Sequence, residues 1–326
     1  MEKSFKFFLI VTLLLGLITI LPAPTFFFVA LATAFLYAGY SESWNIVGGY
    51  AGYTSLGHGA LFGLSAYFVA LLLHHFGTSP LLTIPLGGLL CIIIAIIIGY
   101  PTMRLRGYYF ALATLSLPII FGAVVVSFPD ITLGGRGVSN IYITEIPFEL
   151  RPQIYYMIFL LYMAVCASVA YMVERSKFGM GLVAIRDDEV AAEACGINTT
   201  KLKVRAFIIS GFLTGIAGGF YGTYLTYISP STAFGILPSI IPVLMAILGG
   251  RNTWLGPIIG GIVLDLLRQY ISYTFPGVLN TLIFGGILII FTILFPEGAV
   301  GMIKKGNLVG ILNKYKYRRI GHTQSR

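Results

Sequence analysis

The sequence predicts an all-α, polytopic integral membrane protein of about ten transmembrane helices, with both termini cytoplasmic. Hydropathy is the first reason. The mean is +0.89, with 57% of residues apolar and 10% charged, a balance outside the range of ordinary soluble domains. Run length is the second: apolar stretches recur at about 20 residues, the helical length that crosses a ~30 Å hydrocarbon core. They are rich in Leu and Ile and lack the period-2 alternation of barrel strands, so helices must satisfy their own backbone in lipid. Charge placement, the third reason, orients the chain.

Each span follows in turn. The opening "MEKSFKFFLIVTLLLGLITILPAPT" has Lys3 and Lys6 ahead of an apolar run, as a signal peptide would. No small-x-small cleavage site follows, and Pro22 and Pro24 occupy that region, so a retained first helix over 6–22 is expected. Further spans are expected over 26–47, 56–76, 80–100, 108–128, 153–173, 205–228, 235–250, 255–274 and 278–296. The 26–47 run is the least uniform, because Glu42 and Asn45 interrupt it. With the N-terminus inside, 18 of the 21 Lys and Arg residues face the cytoplasm, Arg136 and Arg151 face outward, and Arg268 lies within a span. The reverse orientation breaks the positive-inside rule. One transmembrane domain is therefore expected over 1–303, with a cytoplasmic loop at 174–204 and an outside loop at 129–152. A basic cytoplasmic tail over 304–326 is expected at the anionic membrane surface.

Several function classes drop out. The net charge of +9 reports topology, not a nucleic-acid partner. Cys91, Cys166 and Cys195 form no disulfide framework and have no metal-ligand spacing. His74-His75 reads as an interfacial pair, not a metal site. There is no Walker A motif and no His-Glu-x-x-His, and the residues around Ser65 fail Gly-x-Ser-x-Gly. No catalytic residue, metal or cofactor is assigned to the chain.

Small residues recur at four-residue spacing: Ser55, Gly59 and Gly63; Gly211, Gly215 and Gly219; Gly256 and Gly260. Such faces let helices approach closely in lipid. "GGYAGYTSLGHG" (48–59) and "GGRNTWLGPIIG" (249–260) share Gly-Gly followed by Thr-x-Leu-Gly. Parallel duplication and chance likeness of glycine-rich segments both account for this.

One stretch breaks the apolar pattern. Arg186 to Arg205 carries eight charges, four of each sign. Alanines and acids from Ala184 to Ala194 fall at helical spacing, and Gly196 follows as a helix stop. A solvated connector is the plain reading. A Gly-bounded helix with exposed alanines and acids also suits a groove on another protein.

"RDDEVAAEACGINTTKLKVRAFIISGFLTGIAGGFYG" (186–222) resembles the cytoplasmic loop and following span of the branched-chain amino acid ABC permeases, in particular the M-type subunit of the LIV (leucine/isoleucine/valine) system. "GGYAGYTSLGHGALFGLSAY" (48–67), "RLRGYYFALATL" (104–115), "TLGGRGVSNI" (132–141), "YISPSTAFGILPSI" (227–240), "ILGGRNTWLGPIIGG" (247–261) and "LFPEGAVG" (294–301) match in order. Tyr53 stands where Gln is usual, Asn252 where Gly is usual, and Glu42 where a small residue is common.

The resemblance implies a permease subunit of an ATP-driven importer for branched-chain or related hydrophobic amino acids, and not an enzyme. Urea and short amides are the alternative cargo, and an ion-coupled secondary transporter the rival class. The implied partners are a homologous H-type permease, two ATP-binding subunits that hold ATP and Mg, and an external solute-binding protein. Arg186, Asp187, Asp188, Glu193, Ala194 and Gly196 then form a coupling segment similar to the Glu-Ala-Ala loop of ABC importers. Translocation-path candidates are Thr54, Ser55 and His58, in a helix that can be discontinuous after Gly48-Gly49, and Asp265 with Arg268. The latter two lie about 10 and 13 residues into their span, hence deep in the membrane at ~1.5 Å per residue. Ionisable groups at that depth cost ~2.5–3.5 kcal/mol each and must face protein or water. Either they lock helices together as an i, i+3 pair or they meet the charges of a zwitterionic solute.

Overall fold

The computed structural model describes residues 2–20, 24–105, 107–143, 145–275, 277–294 and 298. Arg106 and the 304–326 tail, both used in the topology count, lie outside the described residues. Among the described residues, helices of 14 residues or more overlap each of the predicted stretches. They are α1 (Glu2–Leu17), α2 (Thr25–Asn45), α3 (His58–Phe76), α4 (Pro80–Thr102), α5 (Tyr108–Ser127), α7 (Arg151–Arg175), α10 (Thr199–Leu225), α12 (Ile236–Gly249), α13 (Gly256–Thr274) and α14 (Val278–Leu294). Short helices α6 (Pro129–Thr132), α8 (Lys177–Asp187), α9 (Glu189–Ala194) and α11 (Pro230–Ala233) sit in the connections. Among the described residues six helices are long and apolar enough to cross a membrane: α3, α4, α5 and α10, and α7 and α12 with the turns before them.

α2 is central. Every residue from Ala34 to Ala51 is buried, and α7, α10, α12 and α13 pack around it. That enclosure explains the polar interruptions in its sequence, since Glu42 and Asn45 face protein and not lipid. Close approach depends on the glycines. A Cβ added to Gly211, Gly215 or Gly219 would lie 3.2 Å from Ala95, 2.8 Å from Cys91 or 3.1 Å from Ile84, so this stripe of α10 faces α4. A Cβ at Gly261 would come within 2.5 Å of the Ala38 Cα, where α13 crosses α2.

At one end of the bundle, β1 (Val138–Ile141) pairs antiparallel with β2 (Thr226–Ile228), with Val138 opposite Ile228. The 129–152 connection is thus not wholly a loop, and α10 stops at Leu225 instead of running on to 228. Val138, Ile141 and Ile228 are buried against Tyr67, Ala70 and Phe234, a small apolar cluster that favours strand pairing over a longer helix. The opposite end carries α8 and α9.

Candidate functional site

The charged island forms two helices where one was expected. Asp188 is extended (φ −159°, ψ 109°), and its Oδ1 accepts the backbone N–H groups of Val190 and Ala191 at 2.9 and 3.0 Å. An aspartate that caps a new helix competes with continuation of the old one, so Asp188 ends α8 and starts α9. Gly196, at φ +83°, then stops α9. Its N–H bonds Glu193 O at 2.9 Å, and Ile197 N–H bonds Ala192 O at 3.1 Å, a Schellman closure that favours glycine. Leu182, Ile185 and Ala192 are buried, whereas Asp187, Asp188, Val190, Ala191, Glu193, Ala194, Cys195 and Gly196 are exposed. Arg186 pairs with Asp187 at 3.0 Å in the open, a contact of little energetic weight. Glu193 accepts the Thr199 hydroxyl at 2.7 Å, which fixes the start of α10.

Beneath this pair lies the α2–α3 connection. α2 ends in a π-helical turn, Ile46–Tyr50, an open loop covers 51–57, and α3 begins at His58. The break therefore lies where two helices join at the α8–α9 end, not inside a single span. The 250–255 connection sits alongside. Asn45 Oδ1 accepts the Asn252 N–H at 3.3 Å, and Asn45 Nδ2 donates to Thr253 O at 3.2 Å. Glu174 Oε2 accepts both the Tyr50 hydroxyl at 3.1 Å and the Trp254 N–H at 2.9 Å. The two glycine-rich segments thus meet at one end of the bundle, joined by Asn45 and Glu174, neither of which sequence reasoning selected.

The Thr54-Ser55-His58 group divides. Thr54 lines a cleft of about 410 Å³ with Gly52, Tyr53, Gly107, Tyr108 and Ala111. Ser55 and His58 are buried instead, and the imidazole bridges Ser55 Oγ at 3.0 Å and Ser210 Oγ at 2.6 Å. Ser210 Oγ donates onward to Ser43 O at 2.6 Å, and Ser43 Oγ meets Thr214 Oγ1 at 3.0 Å. His58 ties α3 to α10 and α2 through this relay.

Asp265 and Arg268 do pair, with Arg268 Nη2 and Nε 2.6 and 3.1 Å from Asp265 Oδ1. The other oxygen, Oδ2, accepts Thr33 Oγ1 at 2.8 Å and Gln269 Nε2 at 2.7 Å. Asp265 is fully buried, and its four accepted bonds use the whole hydrogen-bonding capacity of a carboxylate. Arg268 differs: it is 32% exposed, lies over the Tyr37 ring at 4.8 Å, and lines a cleft of about 330 Å³ with Leu237, Ile241, Ser272 and Asn280. Thr33, Tyr37 and Gln269 are the partners that sequence reading missed. Thr33 carries no signal until α2 is known to face α13, but Gln269 stood four residues from Asp265 on one helix face.

Six helices long and apolar enough to cross a membrane, among the described residues, define a multi-pass membrane protein. The family whose model describes the branched-chain amino acid transport system / permease component matches residues 26–292, and the chain belongs to that family. It is 26% identical over 289 residues to the high-affinity branched-chain amino acid transport system permease protein LivM of Salmonella typhimurium, covering 80% of this chain and 66% of that one. The LivM of Escherichia coli gives the same identity and coverage. The probable branched-chain amino acid transport permease protein LivH of Methanocaldococcus jannaschii is 25% identical over 259 residues, covering 73% of this chain and 80% of that one. The chain thus spans just under two thirds of the length of these two LivM relatives, at 66%. No solved structure matches.

Proposed function

We propose that this chain is the transmembrane permease subunit of an ATP-driven ABC importer that translocates branched-chain amino acids delivered by an external binding protein. The family match over 26–292 carries the reading, and the exposed, glycine-closed α9 supports it. All ten long helices cross the membrane, both termini are cytoplasmic, and the α8–α9 end faces the cytoplasm. The outer face of α8–α9, from Arg186 through Asp187, Asp188, Glu193 and Ala194 to Gly196, docks on an ATP-binding subunit. Two such subunits hold ATP and Mg, and a homologous H-type permease completes the pore.

Within this subunit the Asp265 carboxylate serves as a helix lock, since every lone pair is taken by α2 or α13. Arg268 keeps an open side toward its cleft, where a guanidinium can receive a substrate carboxylate bidentately. Thr54 lines the cleft at the cytoplasmic end, and Ser55 with His58 holds the helices beside it.

The test is uptake into vesicles reconstituted with the permeases, the ATPases and the binding protein. Leucine uptake is expected to require ATP and binding protein, to survive collapse of proton and sodium gradients, and to resist competition by urea. Gradient-driven uptake by this chain alone overturns the reading.

A further inference from the structure

Tyr53, Glu189 and Lys203 come from three separate segments and meet beneath α9. Lys203 of α10 is 2% exposed, and its ammonium lies 2.6 Å from Glu189 Oε1, at the first residue of α9. It also donates to the Tyr53 hydroxyl at 3.0 Å and sits 4.5 Å above that ring. The same hydroxyl donates to Glu189 Oε2, which closes a ring of three polar contacts. Phe110 of α5 packs edge-on against Tyr53 at 5.2 Å. One residue earlier, Gly52 (φ +74°) passes so close to α8 that a Cβ there would lie 2.5 Å from Arg186 Cγ. Tyr53 therefore fastens the 51–57 loop to α9, and two residues on, the same loop holds Ser55, which bonds His58 and receives the Trp44 indole N–H at 2.7 Å.

We infer that Tyr53, Glu189 and Lys203 form a rigid joint that makes α9 and the α2–α3 connection move as one body, so that a push on α9 reaches α2 and α3. They are positioning residues, and the inference rests on the proposed coupling role of α8–α9. A loop held to α9 only by apolar contact would slide when α9 is displaced. A charge-assisted ring with almost no water access holds direction as well as distance. The exposed face of α9 takes no part in the ring, so docking and joint are separable.

The experiment uses the complete transporter in vesicles, with ATP hydrolysis and leucine uptake measured on the same preparation. Tyr53→Phe removes the hydroxyl and keeps the ring against Phe110. ATPase assembly and hydrolysis are expected to stay within about twofold of wild type, while uptake falls about tenfold or more, because the change removes both charge-assisted hydrogen bonds of the hydroxyl, to Lys203 and to Glu189. ATP consumed per leucine then rises about tenfold or more. Glu189→Lys and Lys203→Glu each bring like charges together and are expected to uncouple as well. The double reversal restores the ring and is expected to recover the wild-type ratio. A wild-type ratio in Tyr53→Phe overturns the joint, and so does uptake that falls only in step with assembly. If Tyr53→Phe fails to assemble, the reversal series decides: a double reversal no better coupled than the single changes also overturns it. Absence of ATP-driven uptake in the wild-type complex is a different failure, that of the proposed function itself.

Discussion

Removal of the Asp265 carboxylate tests how α13 is held against α2. In Asp265→Ala, Arg268 loses both of its carboxylate bonds, while Thr33 and Gln269 lose one each. The losses are unequal. Thr33 Oγ1 has a second acceptor in Ala30 O at 3.3 Å, and Gln269 Nε2 bonds that carbonyl at 3.0 Å, so both retain a partner. Among the described residues Arg268 retains only the Tyr37 ring and, being 32% exposed, can turn toward its cleft. Breaking a fully buried ion pair costs about 3–5 kcal/mol, and exposure of the guanidinium lowers this to about 2–3 kcal/mol. Asp265→Asn preserves the shape and one acceptor, with an expected cost of about 1–2 kcal/mol. The double change Asp265→Leu with Arg268→Met removes charge from both sides at similar volume and is expected within about 1 kcal/mol of wild type. Equilibrium unfolding of wild type and the three variants in mixed detergent, followed by circular dichroism, gives all three differences. An Asp265→Ala loss under about 0.5 kcal/mol, or a double variant no better than the single, refutes the lock. Uptake separates the roles: a stable double variant that assembles but does not transport assigns Arg268 to the substrate.

Three further outcomes follow from burial and close approach. A polar maleimide is expected to label Cys195 alone, because Cys91 and Cys166 are buried, and addition of the ATPase subunits is expected to slow labelling sharply. Equal labelling with and without them removes α9 from the proposed docking surface. Gly218→Ala places a Cβ 2.0 Å from the Phe62 carbonyl oxygen where α10 crosses α3, with an expected loss of about 1–3 kcal/mol in the same unfolding assay. Gly285→Ala, with nothing within 4 Å among the described residues, serves as the neutral control, and equal effects would contradict the packing described. Glu42 is buried with Oε2 unpartnered among the described residues, while Oε1 takes Asn45 Nδ2 at 3.1 Å. Glu42→Gln keeps the volume and that acceptor without a buried charge, so yield and stability are expected to match or exceed wild type; a loss above about 1 kcal/mol contradicts this.

The helices were legible because length and apolarity are local properties. Each stretch read from hydropathy holds a long helix among the described residues, six of them long and apolar enough to cross a membrane, and the stop at Gly196 follows from a residue type with one dominant use at helix ends. Asp188 misled because its spacing fits a helix face, while its side chain is equally suited to cap the next one. The Asp265–Arg268 pair was visible at i, i+3, but Thr33, 232 residues away, was not. Tyr53 stood out as a departure from the usual Gln, yet nothing local placed it beside Lys203, 150 residues away. Contacts between distant segments require the packing order of the helices, which hydropathy does not encode.

The position of α2 also bears on how the chain is made. Glu42 and Asn45 emerge early, but α7, which encloses one side of α2, begins only at Arg151. At about 5–20 residues per second, roughly five to twenty seconds of synthesis separate them. Asp265, the partner of Thr33, arrives 232 residues after it, which adds a further delay on the order of ten seconds. During that interval the second helix has its polar side chains but lacks α7, α10, α12 and α13, the helices that pack around it. It must wait in the protein-lined environment of the insertion machinery, or at the interface, until later helices arrive. A helix that enters among the first is thus among the last to settle, and variants that speed or slow translation between residues 45 and 151 should alter yield without changing a single contact in the finished protein.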